Sequence, residues 1–417
     1  MSGKGPFLSN RIYPIDLLNW AGDKKHGVKK PFDRNSGRPL GEQIQLETAL
    51  VRKINQWSNE LINSSSEENL PRHIFLVGGP GNGKTDVVEH CVDQFDKEMG
   101  ADGSLMQQFR DLFETTEGSL PPRRAEVSLD SYTSKSGRKF DFWIVQDATE
   151  GDASGSSAQE ALLKDLDQII NSKRDLIYIC CVNRGIISEL TNLNKSDEIK
   201  NLLDEIILAS TVGNNTSHCW PLNNYNDFAV WPMDEESLVT PVSAQEKSVA
   251  HKIFEAALEQ KYWKETCPSG DFCPFCTNQK FLSDNKNLDG LIKILKNYEY
   301  LTGRRWTFRD LFSLVPYLLL GEEKSFLNSD GKRTDPCEWA AKKFEEYKNS
   351  NDKLANLHEL VGRLYYHRLF SNWPNLRSGK HKQAYDKLLS KKKLEGILEL
   401  NDRQLTRQHY SYLRSHN

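Results

Sequence analysis

The stretch HIFLVGGPGNGKTDVVEHC, from His73 to Cys91, restricts what this chain can fold into more than any other. Four apolar residues, Ile74 to Val77, break into GGPGNGKT and then into a segment with helical spacing. A strand, a glycine loop and a helix in immediate succession form the context that the G-x-x-x-x-G-K-[ST] pattern requires. Gly78, Gly81 and Gly83 permit a turn tight enough for backbone N–H groups to converge on phosphate oxygens, and the following helix adds its dipole. Gly79, Pro80, Asn82 and Asp86 complete the same nucleotide-binding stretch. Lys84 is placed to reach the β- and γ-phosphates of ATP, and Thr85 to hold Mg²⁺ through its hydroxyl. An ordinary glycine-rich strand–helix turn is the alternative, and full agreement of pattern and context argues against it.

The chain has 417 residues, 37% of them hydrophobic, enough for two or three domains with a substantial core. Its start, MSGKGPFLSNR, has no apolar signal-peptide core. The apolar run from Leu311 to Leu320 contains Pro316 and is too short to span a bilayer, so no membrane partner and a cytoplasmic location are expected. Eight cysteines in this length do not read as a disulfide framework. Cys91, Cys180 and Cys181 lie in apolar surroundings and read as buried, reduced thiols. The net charge of −3 is uneven: Leu376 to Asn417 holds ten Lys/Arg against four Asp/Glu, a net +6 that leaves −9 elsewhere. That basic end is the place where nucleic acid would bind, although such a tail is more often a solvated helical face.

Residues 1–40 read as an extended N-terminal arm, in which only RIYPIDLLNW carries apolar weight. Helical spacing of Ile44, Leu50, Ile54, Trp57 and Leu61 predicts a helix before the first strand. After the glycine loop, an edge strand is expected near AEVSLD, followed by a buried strand in FDFWIVQDATE. The latter delivers Asp147 at its carboxyl end, where ligands bind in parallel α/β sheets. Asp147 is the candidate to hold the Mg²⁺ shell beside Thr85; capping of the next turn is the alternative role. A further strand in DLIYICCVNRG ends at Asn183, whose amide is placed to meet the γ-phosphate or the attacking water. FAVWPMD closes the series, with Pro232 expected to end regular pairing. Helical segments between these strands, GSSAQEALLKDLDQII and SDEIKNLLDEIILA, complete an α/β alternation.

GGPGNGKT, WIVQD, ICCVNRG and the later GRRWTFRDLF, in this order, resemble the Walker A, Walker B, sensor 1 and sensor 2 series of AAA+ ATPases. The likeness spans about residues 41–320. It implies a parallel-sheet P-loop core over 41–238, a helical lid over 239–334 and a basic helical C-terminal region over 335–417. It makes Lys84, Asp147, Asn183 and Arg309 catalytic, Asn183 being sensor 1 and Arg309 sensor 2, with Arg305 and Arg304 as alternatives. Salt bridging is the competing explanation for each of these arginines. Arg184 is one candidate for the arginine that such proteins donate to a neighbouring subunit, which makes a homo-oligomer a further expectation. One departure stands out: Ala148 follows Asp147 where hydrolytic members often carry a water-orienting Glu. Glu150 and Asp152 are the carboxylates that stand closest in sequence to replace it.

CPSGDFCPFC places Cys267, Cys273 and Cys276 within ten residues, and its CPFC turn resembles a zinc knuckle. The fourth ligand of a structural Zn²⁺ is sought among Cys337, Cys219, His218 and His251, with Cys337 preferred; a redox CxxC pair or free thiols are the alternatives. The C-terminal aromatics Tyr365, Tyr366, His367 and Trp373 read as packing rather than base stacking.

These features lead to the expectation of a Mg²⁺-dependent ATPase that remodels or regulates a partner complex. The combination of core, WPMD strand, cysteine-bearing lid and TFRDLF helix also resembles ATPase-like components of prokaryotic anti-phage defence, of the DNA phosphorothioation-dependent restriction type. That likeness implies DNA and a nuclease partner. A non-hydrolysing nucleotide switch or assembly scaffold is the competing expectation, motivated by Ala148.

Overall fold

A computed structural model of the chain describes residues 12–20, 32, 40, 46–63, 70–113, 122–151, 155–172, 175–191, 193, 196–211, 219–321, 326–327 and 331–349. Asp152, His218, the basic C-terminal segment and its aromatics lie outside them. The elements in chain order are α1 (Ala49–Asn63), β1 (His73–Val77), α2 (Lys84–Met99), α3 (Ser104–Phe113), β2 (Arg124–Val127), β3 (Asp141–Val145), α4 (Ala158–Ile170), β4 (Leu176–Val182), α5 (Arg184–Leu190), α6 (Asp197–Thr211) and β5 (Phe228–Pro232). α7 (Val249–Leu258), α8 (Pro274–Ser283), α9 (Asn285–Thr302), α10 (Phe308–Leu320) and α11 (Pro336–Lys348) follow. They form two compact units. The first comprises described residues of 19–259 and 282–314, the second those of 10–18, 260–281 and 315 onward.

The first unit is an α/β layer structure around a five-stranded sheet of order β2-β3-β4-β1-β5. β1 pairs in parallel with β4 and β5, and β3 in parallel with β4. Every residue of β1 and β4 is buried, which is why both read as unbroken apolar runs rather than alternating ones. Ile74, Leu76, Phe142, Ile144 and Ile179 pack on one face against Trp57 of α1, Val92 and Phe95 of α2 and Phe109 of α3. Phe75, Val77, Val145, Tyr178 and Val230 pack on the other against Leu162 and Leu166 of α4, Ile187 of α5 and Leu202 and Ile206 of α6. The chain leaving β1 passes β4 and β3 to reach the edge strand β2 and turns back into β3, whereas the chain leaving β4 passes β1 to reach β5. Connections running in opposite directions open a crevice beyond the carboxyl ends of the central strands, the usual ligand position in such sheets.

The sheet departs from the expected all-parallel core at its edge. β2 lies near AEVSLD as expected but pairs antiparallel with β3, Arg124 opposite Val145. The loop between them is a closed turn and not a helical crossover. Asp141 accepts the Leu129 N–H at 2.8 Å, while the Tyr132 hydroxyl donates to the Phe140 carbonyl and accepts its N–H. Arg123 and Arg124 fix the strand by converging on the buried Asp165 of α4 at 2.7 and 2.6 Å. At the other edge Pro232 lies within β5, opposite Val77, and the Met233 N–H still donates to the Val77 carbonyl. Proline is tolerated there because an edge strand needs donors on one side only.

His73 opens β1 with its ring against Phe228, centroids 4.8 Å apart, and its buried Nδ1 has no hydrogen-bond partner among the described residues. Burial, helped by Arg72, lowers its pKa to about 4. The unfolded chain, with His73 at about 6.5, therefore binds a proton that the folded chain refuses between those values. Stability from neutral His73 is complete above about pH 6.5 and falls by about 3 kcal/mol as pH drops to 4. His73→Phe should remove that slope in urea titrations between pH 7 and 4; an identical pH dependence in both proteins would refute the assignment.

In the second unit, Tyr13 meets Tyr262 and Trp263 edge-on at 5.4 and 6.1 Å, and its N–H donates to the Tyr262 carbonyl. The part of the expected N-terminal arm over Ile15–Asn19 is thus an anchored 3-10 turn with Leu17 and Leu18 buried, because RIYPIDLLNW has apolar weight to bury. Phe275, Phe326 and Trp339 form the unit's aromatic core. No helix among the described residues is long and apolar enough to cross a membrane.

Candidate functional site

The loop Gly78–Gly83 leaves β1 at the crevice and turns directly into α2. Gly81 and Gly83 take φ of +88° and +80°, where an L side chain is strained, and no side chain caps the start of α2. The loop is also hemmed in. A Cβ on Gly78 would stand 2.7 Å from Cβ of Met233, one on Gly81 2.8 Å from Cβ of Arg309, and one on Gly83 2.9 Å from the Phe308 ring. The three glycines are therefore required by backbone conformation and by close approach of the segments after β5 and at the start of α10. Asn82 is buried at the loop's tip, while Asp86 is exposed in the first turn of α2.

Lys84 folds back onto its own loop and donates to the carbonyls of Gly78 and Gly79 at 2.6 and 2.7 Å. Burial lowers its pKa; Cys181, Asp147 and Asp234 act against that shift, and Arg309 adds to it. Acidic and basic groups from four separate segments thus act on one ammonium.

Asp147 follows β3 and is exposed, and its Oδ1 accepts the Thr149 N–H at 2.9 Å and the Thr149 hydroxyl at 2.7 Å. The turn-capping role is real, and it uses one carboxylate oxygen. Ala148 is buried against the β4 side of the sheet, and the exposed Glu150 closes the turn through its N–H to the Asp147 carbonyl. Asn183 caps α5, accepting the Ile186 N–H on Oδ1 at 2.9 Å. Thr85 lies partly buried in the first turn of α2.

Arg309 lies beside the glycine loop. Its N–H donates to the Gly81 carbonyl at 3.3 Å, and α10 begins in a reciprocal Thr307–Asp310 cap. Arg305 is committed elsewhere, to the buried Glu299 at 3.0 Å. Arg184 is held within its own chain, at 3.0 Å from Asp234 and 2.6 Å from the Ser210 carbonyl. Arg184, Asp234, Arg304, Arg305, Trp306 and Asn82 line a cleft of about 340 Å³, to which Glu235 also contributes. Asp234 and Glu235 were not singled out by sequence reasoning; their signal is the acidic pair in WPMDEE, directly after a strand whose carboxyl end faces the crevice.

The cysteines make a second site. The Sγ atoms of Cys267, Cys273, Cys276 and Cys337 all lie within 4.8 Å of one another, close enough to hold a metal ion. Cys273 and Cys337 are 3.6 Å apart and Cys276 and Cys337 4.0 Å, too far for a disulfide, whose S–S bond is about 2 Å. Tetrahedral Zn–S bonds of about 2.3 Å set sulfurs about 3.8 Å apart. Hydrogen bonding with Cys276 and Cys337 lowers the Cys273 pKa, while the pKa values of both partners are shifted up. Cys276 and Cys337 stand in the first turns of α8 and α11, whose dipoles favour thiolates. Asp335 caps α11 through the Cys337 and Glu338 N–H groups, and Ser269 donates to the Cys337 carbonyl at 2.8 Å. Cys337 is therefore the fourth member. Cys219 is buried, its thiol directed to the Ala209 carbonyl, and His251 binds Ser248 and Asp289. Cys91, Cys180 and Cys181 are buried free thiols, as read from the sequence, with pKa values raised by burial.

No protein-family model matches the chain, and no curated protein and no solved structure matches it.

Proposed function

We propose that this chain is an AAA+-like P-loop ATPase that binds and hydrolyses ATP with Mg²⁺ to remodel or regulate a partner complex. One observation carries the reading: a GxxxxGKT loop at the crossover crevice has Arg309 packed on Gly81, with Asp147 and Asp234 acting on Lys84. In the proposed complex Lys84 exchanges the Gly78 and Gly79 carbonyls for phosphate oxygens, joined by loop amides and the open N-terminus of α2. Thr85 and the Asp147 oxygen not used by Thr149 would hold Mg²⁺, which offsets charge on the phosphates. Asn183, its oxygen spent on the α5 cap, offers its NH₂ end to a phosphate oxygen or water. Arg309 adds a cation whose approach depends on the Arg304–Arg309 segment, so that segment is the natural reporter of nucleotide state. The four cysteines hold a structural Zn²⁺ in the same proposal. A DNA-linked setting with a nuclease partner, and a homo-oligomer, belong to it through the resemblance.

A second reading has its own observation. Ala148 leaves no carboxylate next to Asp147, and a nucleotide-controlled switch would bind ATP without turning it over. Phosphate release measured with and without Mg²⁺ and duplex DNA, alongside solution mass, separates the two. Mg²⁺-dependent release supports the ATPase, tight ATP binding with no release under any condition supports the switch, and no ATP binding at all sinks both.

A further inference from the structure

α9 carries a concentration of apolar surface that its own unit does not use. Leu288, Ile292 and Leu295 are buried on its inner side. Ile294, Tyr298 and Leu301, at i, i+4 and i+7, form a stripe on the outside with 65%, 43% and 86% of their surface exposed, and Tyr300, on the neighbouring flank with Lys296, is 72% exposed. Large apolar side chains grouped this way on a helix are the usual mark of an interaction surface. The exposed charge along the helix is predominantly basic. Lys286, Lys293 and Arg304 are exposed, and Lys296 lies 5.9 Å from the Tyr300 ring. Of the helix's two carboxylates, Asp289 is exposed but paired with His251 at 3.0 Å, and Glu299 is buried against Arg305, Ser237 and the Trp306 N–H.

We infer that the outer face of α9 is a docking surface for an acidic amphipathic helix of a protein partner. An apolar stripe at helical spacing calls for an apolar spine on the occupant, and the surrounding lysines and arginine call for carboxylates beside that spine. Nucleic acid would satisfy the charges but leave Ile294 and Leu301 without an apolar counterpart. A lipid surface would meet only this narrow stripe, since the opposite side of the helix is packed. The position of the surface gives it a consequence. α9 ends at Gly303, which caps it with φ +67°, and the next residues, Arg304 to Thr307, line the cleft beside Asn82. An occupant that orders the end of α9 therefore biases the segment that carries Arg309. The docking inference stands apart from the ATPase proposal; only the effect on turnover rests on it.

The test uses the full chain without nucleotide and a labelled synthetic peptide of about five helical turns, with leucines at i, i+4 and i+7 flanked by glutamates. The expected result is micromolar affinity, at least about tenfold weaker for Leu301→Ser and for Ile294→Ser. Lys293→Glu should weaken binding and its salt dependence, and a peptide with lysines for glutamates should not bind. Thermal melts matching the parent confirm that the surface variants fold. Lys84→Ala should bind the peptide as the parent does, so loss of turnover and loss of docking are distinguishable. No binding of the acidic peptide up to about 100 µM, or equal binding of the lysine peptide, overturns the inference. So does binding of an oligonucleotide or anionic vesicles, or self-association, that Leu301→Ser abolishes while the peptide fails to bind.

Discussion

Lys84→Ala is expected to reduce phosphate release to background, a loss of at least about 100-fold, while leaving the fold intact. The ammonium is the one cation at the start of α2, and its position on the Gly78 and Gly79 carbonyls holds it within the loop that would surround the phosphates. Its removal takes away charge stabilisation that grows as the phosphoryl group transfers, so turnover should suffer more than ATP binding. The structural cost is small, because a half-buried ammonium that burial already disfavours gives way to a small apolar group and two carbonyls at a loop edge. Melting temperatures of the two proteins should agree closely. Unchanged hydrolysis in the variant would end the ATPase proposal, and loss of hydrolysis together with loss of folded structure would call for Lys84→Met as the comparison.

Removing the metal is expected to have an effect of the same rank on the second unit. About one zinc per chain should be released on acid treatment, and Cys273→Ser or a strong chelator should abolish that stoichiometry. Four thiolates drawn together without an ion repel one another, whereas zinc binding to such a set contributes on the order of 10 kcal/mol that becomes folding free energy. The aromatic core that depends on it is compact: Phe275 stands one residue from Cys276, and Trp339 two residues from Cys337. Tryptophan emission should shift to the red as Trp339 and Trp263 are exposed, while ATP binding by the sheet-bearing unit persists. Protein prepared without zinc, with an unchanged emission spectrum and melt, would show that the cysteines are free thiols. Chelation should also become easier as pH falls, since protons compete for the sulfurs.

The core strands were legible in sequence because a strand buried on both faces calls for a near-continuous apolar run, which β4 has throughout and β1 and β3 have after their first residues, His73 and Asp141. Helices α4 and α6 were legible from their apolar spacing. The edge was less so. AEVSLD carries enough alternation to mark a strand, but its direction follows from the Tyr132–Phe140 turn and from two arginines meeting Asp165, contacts 8 to 42 residues apart. Arg305 is an alternative to Arg309 in sequence; its pairing with the buried Glu299 separates the two. Asp234 and Glu235 were passed over because acidic residues after a strand are common, and only their convergence with Arg184 and Lys84 distinguishes them.

By itself, the sequence determined that GGPGNGKT must be a tight loop between a buried strand and a helix, and that CPFC must be a turn presenting two thiols. Both are local properties, set by residues without Cβ atoms, by short spacing and by the apolar runs on either side. What only the tertiary structure decided was which distant groups meet them. It brought Arg309 onto Gly81, turned Asp147 and Asn183 into caps as well as candidates, and chose Cys337 to complete the sulfur cluster. Those choices depend on packing between segments far apart in the chain, which no local pattern of residues encodes.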